Sequence, residues 1–448
     1  MDFAASAPAA PRRPGAAELP PGPRLPKAVQ TARFVRRPVE FLEGCAARYG
    51  DAFTVRLHGP GDVVVISDPP SLKKLFAADR VNTIAPGRNI ILRPLLGPKS
   101  VLLLPGGEEH LRRRKLMLPP FHGERMRAYE SVITDATERE VSSWRPGERF
   151  ALHPGMQAIT LEVILRAVFG VEDEGRRQQL GDDLVEILAT TQSPAALGLS
   201  SKRLRRIWPW RRTAARIRRT DEILGEEIAL RRSGPDLAER DDILSMLLAA
   251  RFEDGSAMDD REIRDQLMTL LLAGHETTAT SLAWAFDLLF RRPEAMERLT
   301  AEVREGESRY LDAVIDETLR LRPVVPFTGR QLRDASDLSG HRLPAGAVVL
   351  AAIYLAHMRE EVYPQARSFR PERFLDSEPE TYSWIPFGGG TRRCLGAAFA
   401  KFEMKVALRT ILRSAVLRPA SEGPERIVRR NVTLAPAGGT PAALVERL

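Results

Sequence analysis

Between Asp259-Asp260 and Arg291-Arg292-Pro293 the chain runs acids first, then mostly apolar residues, then cations and a proline, the order expected of one long helix. At about 1.5 Å per residue, roughly 33 residues make a rod of about 50 Å, long enough to cross the whole protein. Leu267, Met268, Leu270, Leu271, Leu272, Leu282, Trp284, Phe286 and Leu289 lie nearly all round it, as in a buried central helix. In its middle stands Ala273-Gly274-His275-Glu276-Thr277-Thr278. An acid and hydroxyls are costly in a buried helix unless they do something. Ala273 and Gly274 leave room for a ligand beside the helix, and a threonine hydroxyl can bend the helix locally.

A second feature supplies reactive chemistry. Phe387-Gly-Gly-Gly-Thr-Arg-Arg-Cys394-Leu-Gly396 puts a cysteine in a glycine-rich loop, with an apolar, helix-favouring run from Ala397 to Leu408 behind it. The N–H groups and positive dipole end of that helix favour thiolate over thiol. Glycines such as Gly388 and Gly396 permit unusual backbone angles and let a flat ligand approach closely. A thiolate so held is a strong donor to a metal. The only other cysteine, Cys45, sits in the helix-like Phe41-Leu-Glu-Gly-Cys-Ala-Ala and reads as inert filling. Two cysteines exclude a disulfide framework and a cysteine-built zinc cluster, and they suit a reducing cytosol.

The spacing of Phe387, Gly390, Arg392, Cys394 and Gly396 resembles the haem-binding signature of the cytochrome P450 family at every fixed position. The resemblance extends from about residue 20 to the end, with five motifs in the family's order. It implies a mainly α fold with a smaller β-rich lobe, one haem domain over residues 27–448, behind a flexible Pro/Ala-rich segment at 1–26. Cys394 would be the metal ligand to haem b, with Phe387, Gly388, Gly396, Ala273 and Gly274 against the cofactor. The middle of the long helix matches the family's Ala/Gly-Gly-x-Asp/Glu-Thr-Thr/Ser. By that resemblance Thr277 and Glu276 are the catalytic pair, Thr277 steadying dioxygen and a water and Glu276 helping to deliver protons. His275 falls on a variable position and reads as packing or a hydrogen bond.

Glu317-Thr-Leu-Arg320 places opposite charges on one helix face. It resembles the family's Glu-x-x-Arg, completed by Arg373 of Pro371-Glu-Arg-Phe374 into a buried structural lock. His110 and Arg114 match a His-x-x-x-Arg motif, and with Arg330 and Arg392 they would hold the haem propionates. Solvent is the default for Arg112, Arg113 and Lys115. Some of these, with Arg393, Lys401 and Lys405, would surround the face where an electron donor docks.

Along the chain, a helix is expected at 38–50 and strands at 52–57 and 62–66, then helical periodicity to about 322. Strands and turns are expected over 323–356, coil over 360–390, the helix after the cysteine, and a β-like tail at 427–446. By the resemblance the substrate pocket draws on Ile91, Leu92, Leu95, Leu270, Ala273, Val324, Val325 and Phe327. These residues are mostly aliphatic, so a lipophilic fatty acid, terpenoid or steroid is expected rather than a sugar or amino acid.

The 448 residues carry a net charge of +8, spread out and without a nucleic-acid motif. An acidic electron-transfer protein is the better partner: a ferredoxin or flavodoxin with its reductase, drawing on NAD(P)H. The N-terminus lacks an apolar run long enough to span a bilayer, so a soluble, cytoplasmic, bacterial-type monomer is expected. Residues 202–219 hold nine basic residues and two tryptophans. They read as a solvated lid loop more readily than as weak peripheral membrane contact. The overall expectation is a monooxygenase. An H2O2-driven peroxygenase is disfavoured because such enzymes in the family replace the acid–threonine pair. A haem sensor or ligand carrier is disfavoured because it would not need a proton relay.

Overall fold

The computed structural model describes residues 19–84, 92–121, 123–191, 210–376, 379–430 and 432–448. The pocket residue Ile91 and residues 202–209 of the basic 202–219 segment lie outside them. The long helix forms as Asp260–Phe290. Asp259 caps it, accepting from the Glu262 N–H at 2.7 Å while the Glu262 carboxylate accepts from the Asp259 N–H at 3.3 Å. Its second and third turns grip the preceding loop: Asp265 accepts from the Lys99 N–H, Gln266 accepts from the Val101 N–H, and Ser100 meets Thr269 at 2.6 Å. Near its other end the Trp284 indole donates to the Leu434 carbonyl at 2.9 Å, tying the helix to strand Thr433–Pro436. Helices Leu152–Val163, Arg309–Leu321 and Ala397–Ser414 all pack against it.

The β-rich lobe is built on a five-stranded sheet in the order Ala52–Leu57, Gly61–Ile66, Val348–Ala351, Thr328–Leu332, Thr83–Ile84. Helix Pro38–Tyr49 ends at Gly50, whose φ of 83° suits glycine. The tail forms two antiparallel pairings: Ile427–Arg430 with Thr433–Pro436, and Pro441–Arg447 between Arg149–Ala151 and Ala415–Pro419. Two expectations need correction. The Pro-rich segment is held from Leu19 onward, because Thr54 donates to Pro20 and Pro21 carbonyls and the Gln30 amide to those of Pro23 and Leu25. Strand structure stops at Ala351, and Ile353–His357 is helical. Phe327 is half-buried, its ring 5.1 Å from that of Phe34 at the edge of the lobe's core.

One buried ion pair joins these parts to the cysteine loop. Glu317 and Arg320 are fully buried, and the guanidinium donates to both carboxylate oxygens at 2.7 and 2.9 Å. Glu317 also accepts from Arg373 at 3.1 Å and from the Arg370 N–H at 2.9 Å. Arg320 donates onward to the His357 carbonyl at 2.8 Å. The Ile385 N–H donates to His357 Nε2 at 2.8 Å, so the imidazole proton is on Nδ1, which donates to the Arg320 carbonyl at 3.0 Å. The chain thus ends two residues before Phe387. Glu317→Ala strands the Arg320 charge in the core and should cost about 3–5 kcal/mol, read as a lower urea midpoint with haem loss at the same transition. A loss under about 1 kcal/mol would show that the pair is an ordinary exposed contact.

Candidate active site

The cysteine loop closes on itself before the helix begins. The Cys394 N–H donates to the Phe387 carbonyl at 3.0 Å, and Gly388 N–H to that of Ile385 at 2.9 Å. Gly388 and Gly390 both take φ of 68°, where other residues are strained. Gly389 and Gly390 are pressed against Phe76 and Asp79: a Cβ at Gly390 would sit 2.2 Å from the Asp79 carboxylate. Beside Gly396 there is open space, so its small size leaves room for a ligand rather than relieving backbone strain.

Cys394 stands three residues before helix Ala397–Ser414, its side chain accessible. Even so, burial among surrounding atoms raises the thiol pKa, only partly opposed by the Gly396 N–H and by the charges of Arg114 and Arg393. The helix terminus alone therefore does not favour thiolate here; a metal cation at the sulfur would, since a coordinating thiol is deprotonated outright.

Four expected anion-binding residues converge. His110 is buried, its pKa pushed down to about 4 by burial first and then by Arg392 and Arg114. Its Nδ1 finds no hydrogen-bond partner among the described residues. Burial, with Arg330 and Arg114 nearby, lowers Arg392 to about 10, and burial also lowers Arg114. Three arginines and a histidine share the carboxylate of Asp79 alone among the charges that act on His110. That excess of positive charge and the orphaned imidazole nitrogen fit the two propionates of a haem. Arg330 differs from the expectation: it donates to both Asp79 oxygens at 2.6 and 3.0 Å, to the Gly389 carbonyl, and to Thr328 and Gly329. Its donors are already committed, so it shapes the loop through Asp79. Sequence reading overlooked Asp79, since nothing in the run Leu75–Arg80 marks it.

Leu270, Ala273, Gly274 and Thr277 repeat at i, i+3, i+4, i+7 and form an incompletely buried stripe on the central helix, with half-buried Leu272 beside it. The Thr277 hydroxyl donates to the Ala273 carbonyl at 2.7 Å, which leaves its oxygen lone pairs to accept from a ligand. Glu276 lies on the adjoining face, where the Gln157 amide donates to it at 2.6 Å. His275 points into packing and meets Thr160 at 3.0 Å, as expected. Of the pocket residues, Leu92 and Val325 are half-buried, whereas Leu95 and Val324 are buried, Leu95 within the main core. Arg113 is not solvated: it is buried against Glu262 and Glu109. Lys401 and Lys405 pair with Asp316 at 2.6 Å and Asp312 at 2.7 Å, while Arg393 is exposed.

Residues 18–440 match the family model described as Cytochrome P450. A Mycobacterium tuberculosis protein provisionally designated cytochrome P450 135B1 is 42% identical over 94% of this chain and 90% of its own length. One designated cytochrome P450 138, from the same species, is 39% identical over 95% and 96%. Among solved structures, retinoic acid bound cyanobacterial CYP120A1 superimposes with a TM-score of 0.81 at 25% identity, covering 97% of this chain and all of that one. The cytochrome P450DA heme domain gives 0.80 at 22% identity, a likeness of fold.

Behind the cysteine, Glu403 is a buried acid on the apolar face of Ala397–Ser414, legible as the one charge in register with Phe399 and Ala407. Burial raises it to about 8, slightly opposed by a hydrogen bond with Thr278 on the central helix. With a folded value above the unfolded one, the native state holds the extra proton between about 4.5 and 8. Stability should therefore fall as pH rises through that window. Glu403→Gln should remove this slope, so that the difference in melting temperature between variant and parent moves in the variant's favour from pH 5 to pH 8. A constant difference would show that Glu403 ionises normally.

Proposed function

The chain belongs to the cytochrome P450 family and is a haem-dependent monooxygenase; on that premise we propose that it hydroxylates an extended lipophilic molecule with electrons from separate redox proteins. What supports this reading is the accessible Cys394 with Arg114 and Arg393 acting on it, an unbalanced cluster of cations around His110, and a part-open stripe of small residues on the central helix. Haem b bound at this site through the Cys394 thiolate would supply the oxygen chemistry, since a thiolate donor favours O–O cleavage.

The protein's own residues supply the rest. His110, Arg114 and Arg392 would hold the two carboxylates of the cofactor, whose charge would relieve the repulsion among them. Phe387, Gly388 and Gly396, with Ala273 and Gly274, would pack against the cofactor. Thr277 presents an oxygen that accepts a hydrogen bond, because its own proton is given to the Ala273 carbonyl. Glu276 is the proton source beside it, held by Gln157. The Glu317–Arg320–Arg373 lock keeps the cysteine loop in place and takes no part in chemistry.

For the substrate, Leu92, Leu270, Ala273 and Val325 offer apolar surface, which favours a fatty acid, terpenoid or steroid. Retinoic acid, bound in the related cyanobacterial structure, is of this type. A ferredoxin or flavodoxin drawing on NAD(P)H is the proposed donor, with exposed Arg393 on the cysteine side as part of its docking face. Thr277→Ala should leave NAD(P)H consumption near the parent rate, while product per NAD(P)H falls about tenfold or more and peroxide rises to match. Equal loss of consumption and product, with no peroxide, would make Thr277 a packing residue.

A further inference from the structure

The central helix and Leu152–Val163 run antiparallel along a polar seam: His153 faces Thr280, Gln157 faces Glu276, and Thr160 faces His275. Strand Ile427–Arg430 adds one more group, the half-buried Arg430, whose Nη1 lies 3.1 Å from His153 Nδ1. A guanidinium has donors only. Nδ1 must therefore accept, and the imidazole proton must be on Nε2. Nε2 lies 3.1 Å from Thr280 Oγ1 and 3.7 Å from Glu276 Oε1. With Nε2–H donating to Thr280, the threonine's own hydroxyl is directed to Glu276 Oε1 at 3.4 Å.

We infer that Arg430 is a positioning residue for Glu276: it fixes His153 as the Nε2–H tautomer and, through Thr280, directs a hydrogen bond onto Glu276 Oε1. Every bond in the series Arg430, His153, Thr280, Glu276 then points the same way, with the cation at one end and the acid at the other. Aligned hydrogen bonds polarise one another, which strengthens the last of them. Two neighbours of Glu276 on Leu152–Val163 and the central helix are consistent with this. Gln157 donates to its other oxygen, and His275 is occupied with Thr160. His153 and His275 are both pushed down to about 4, so neither brings a competing positive charge near neutrality. The inference rests on the reading of Glu276 as the proton source, and it assigns the control of that group to a residue on a different element, outside the family motif.

The test uses the haem-loaded, full-length protein. Histidine ring 15N shifts are measured in the diamagnetic ferrous–CO form, with the His153 signal assigned by its loss in His153→Gln. The parent and Arg430→Lys should show His153 as Nε2–H, and Arg430→Met should show a tautomer mixture. In the same proteins the pH at which product per NAD(P)H is half-maximal should move up by about one unit in Arg430→Met, and should return with Arg430→Lys. A parent His153 that carries its proton on Nδ1, or is charged at pH 7, overturns the inference. So does a tautomer change in Arg430→Met with an unmoved pH profile. Failure of the underlying reading looks different: Glu276→Gln would keep parental coupling while the His153 tautomer stayed as inferred.

Discussion

The Glu317–Arg320 pair is the constraint on which the site depends. Two charges with no exposed surface are tolerable only because each oxygen and nitrogen meets a partner: Arg373, the Arg370 N–H, and the carbonyls of His357 and Ser368. His357 carries that order onward. Burial and the adjacent Arg320 push it down to about 3, so it stays neutral and keeps accepting from the Ile385 N–H. The loop from Phe387 to Gly396 therefore starts close to a backbone group anchored, through the His357 and Arg320 side chains, to helix Arg309–Leu321. Partial satisfaction of such a network would be worse than none, which is why its members act together.

The central helix is the second organising element, and it does different work on different faces. Its apolar residues fill the main core, its polar first turns hold the 97–101 loop, and its Ala273–Thr277 stripe stays open. Glu276 and Thr277 are neighbours in sequence but project to separate environments. Thr277 faces the open stripe, and Glu276 faces the seam with Leu152–Val163. One helix can thereby present an acceptor to a ligand while keeping the adjacent acid in a network that runs back toward the surface.

Much of this was legible in the residues. The acid start and Arg-Arg-Pro stop of the central helix, its Asp259 cap, the Gly50 stop, the cysteine loop and the i, i+3 spacing of Glu317 and Arg320 are all local signals, and local physics decides them. Contacts between distant segments were not legible. Asp79 matters because Arg330 lies 251 positions away, and His153 because Thr280 lies 127 away. Phe327 lies beside Phe34, 293 positions away, a contact its sequence neighbours do not announce. Leu19–Pro26 has a composition that suggests looseness, yet Thr54 and Gln30 supply the hydrogen bonds that hold it.

The central claim is that Cys394 gives its thiolate to the haem iron, although burial alone would keep the sulfur protonated. The CO-difference spectrum of the dithionite-reduced protein tests it most directly. The account predicts a Soret band at the long wavelength characteristic of thiolate-ligated ferrous–CO haem, lost in Cys394→Ala. A shorter-wavelength band of histidine or protonated-thiol type in well-folded parent protein, or no bound haem at all, would contradict it.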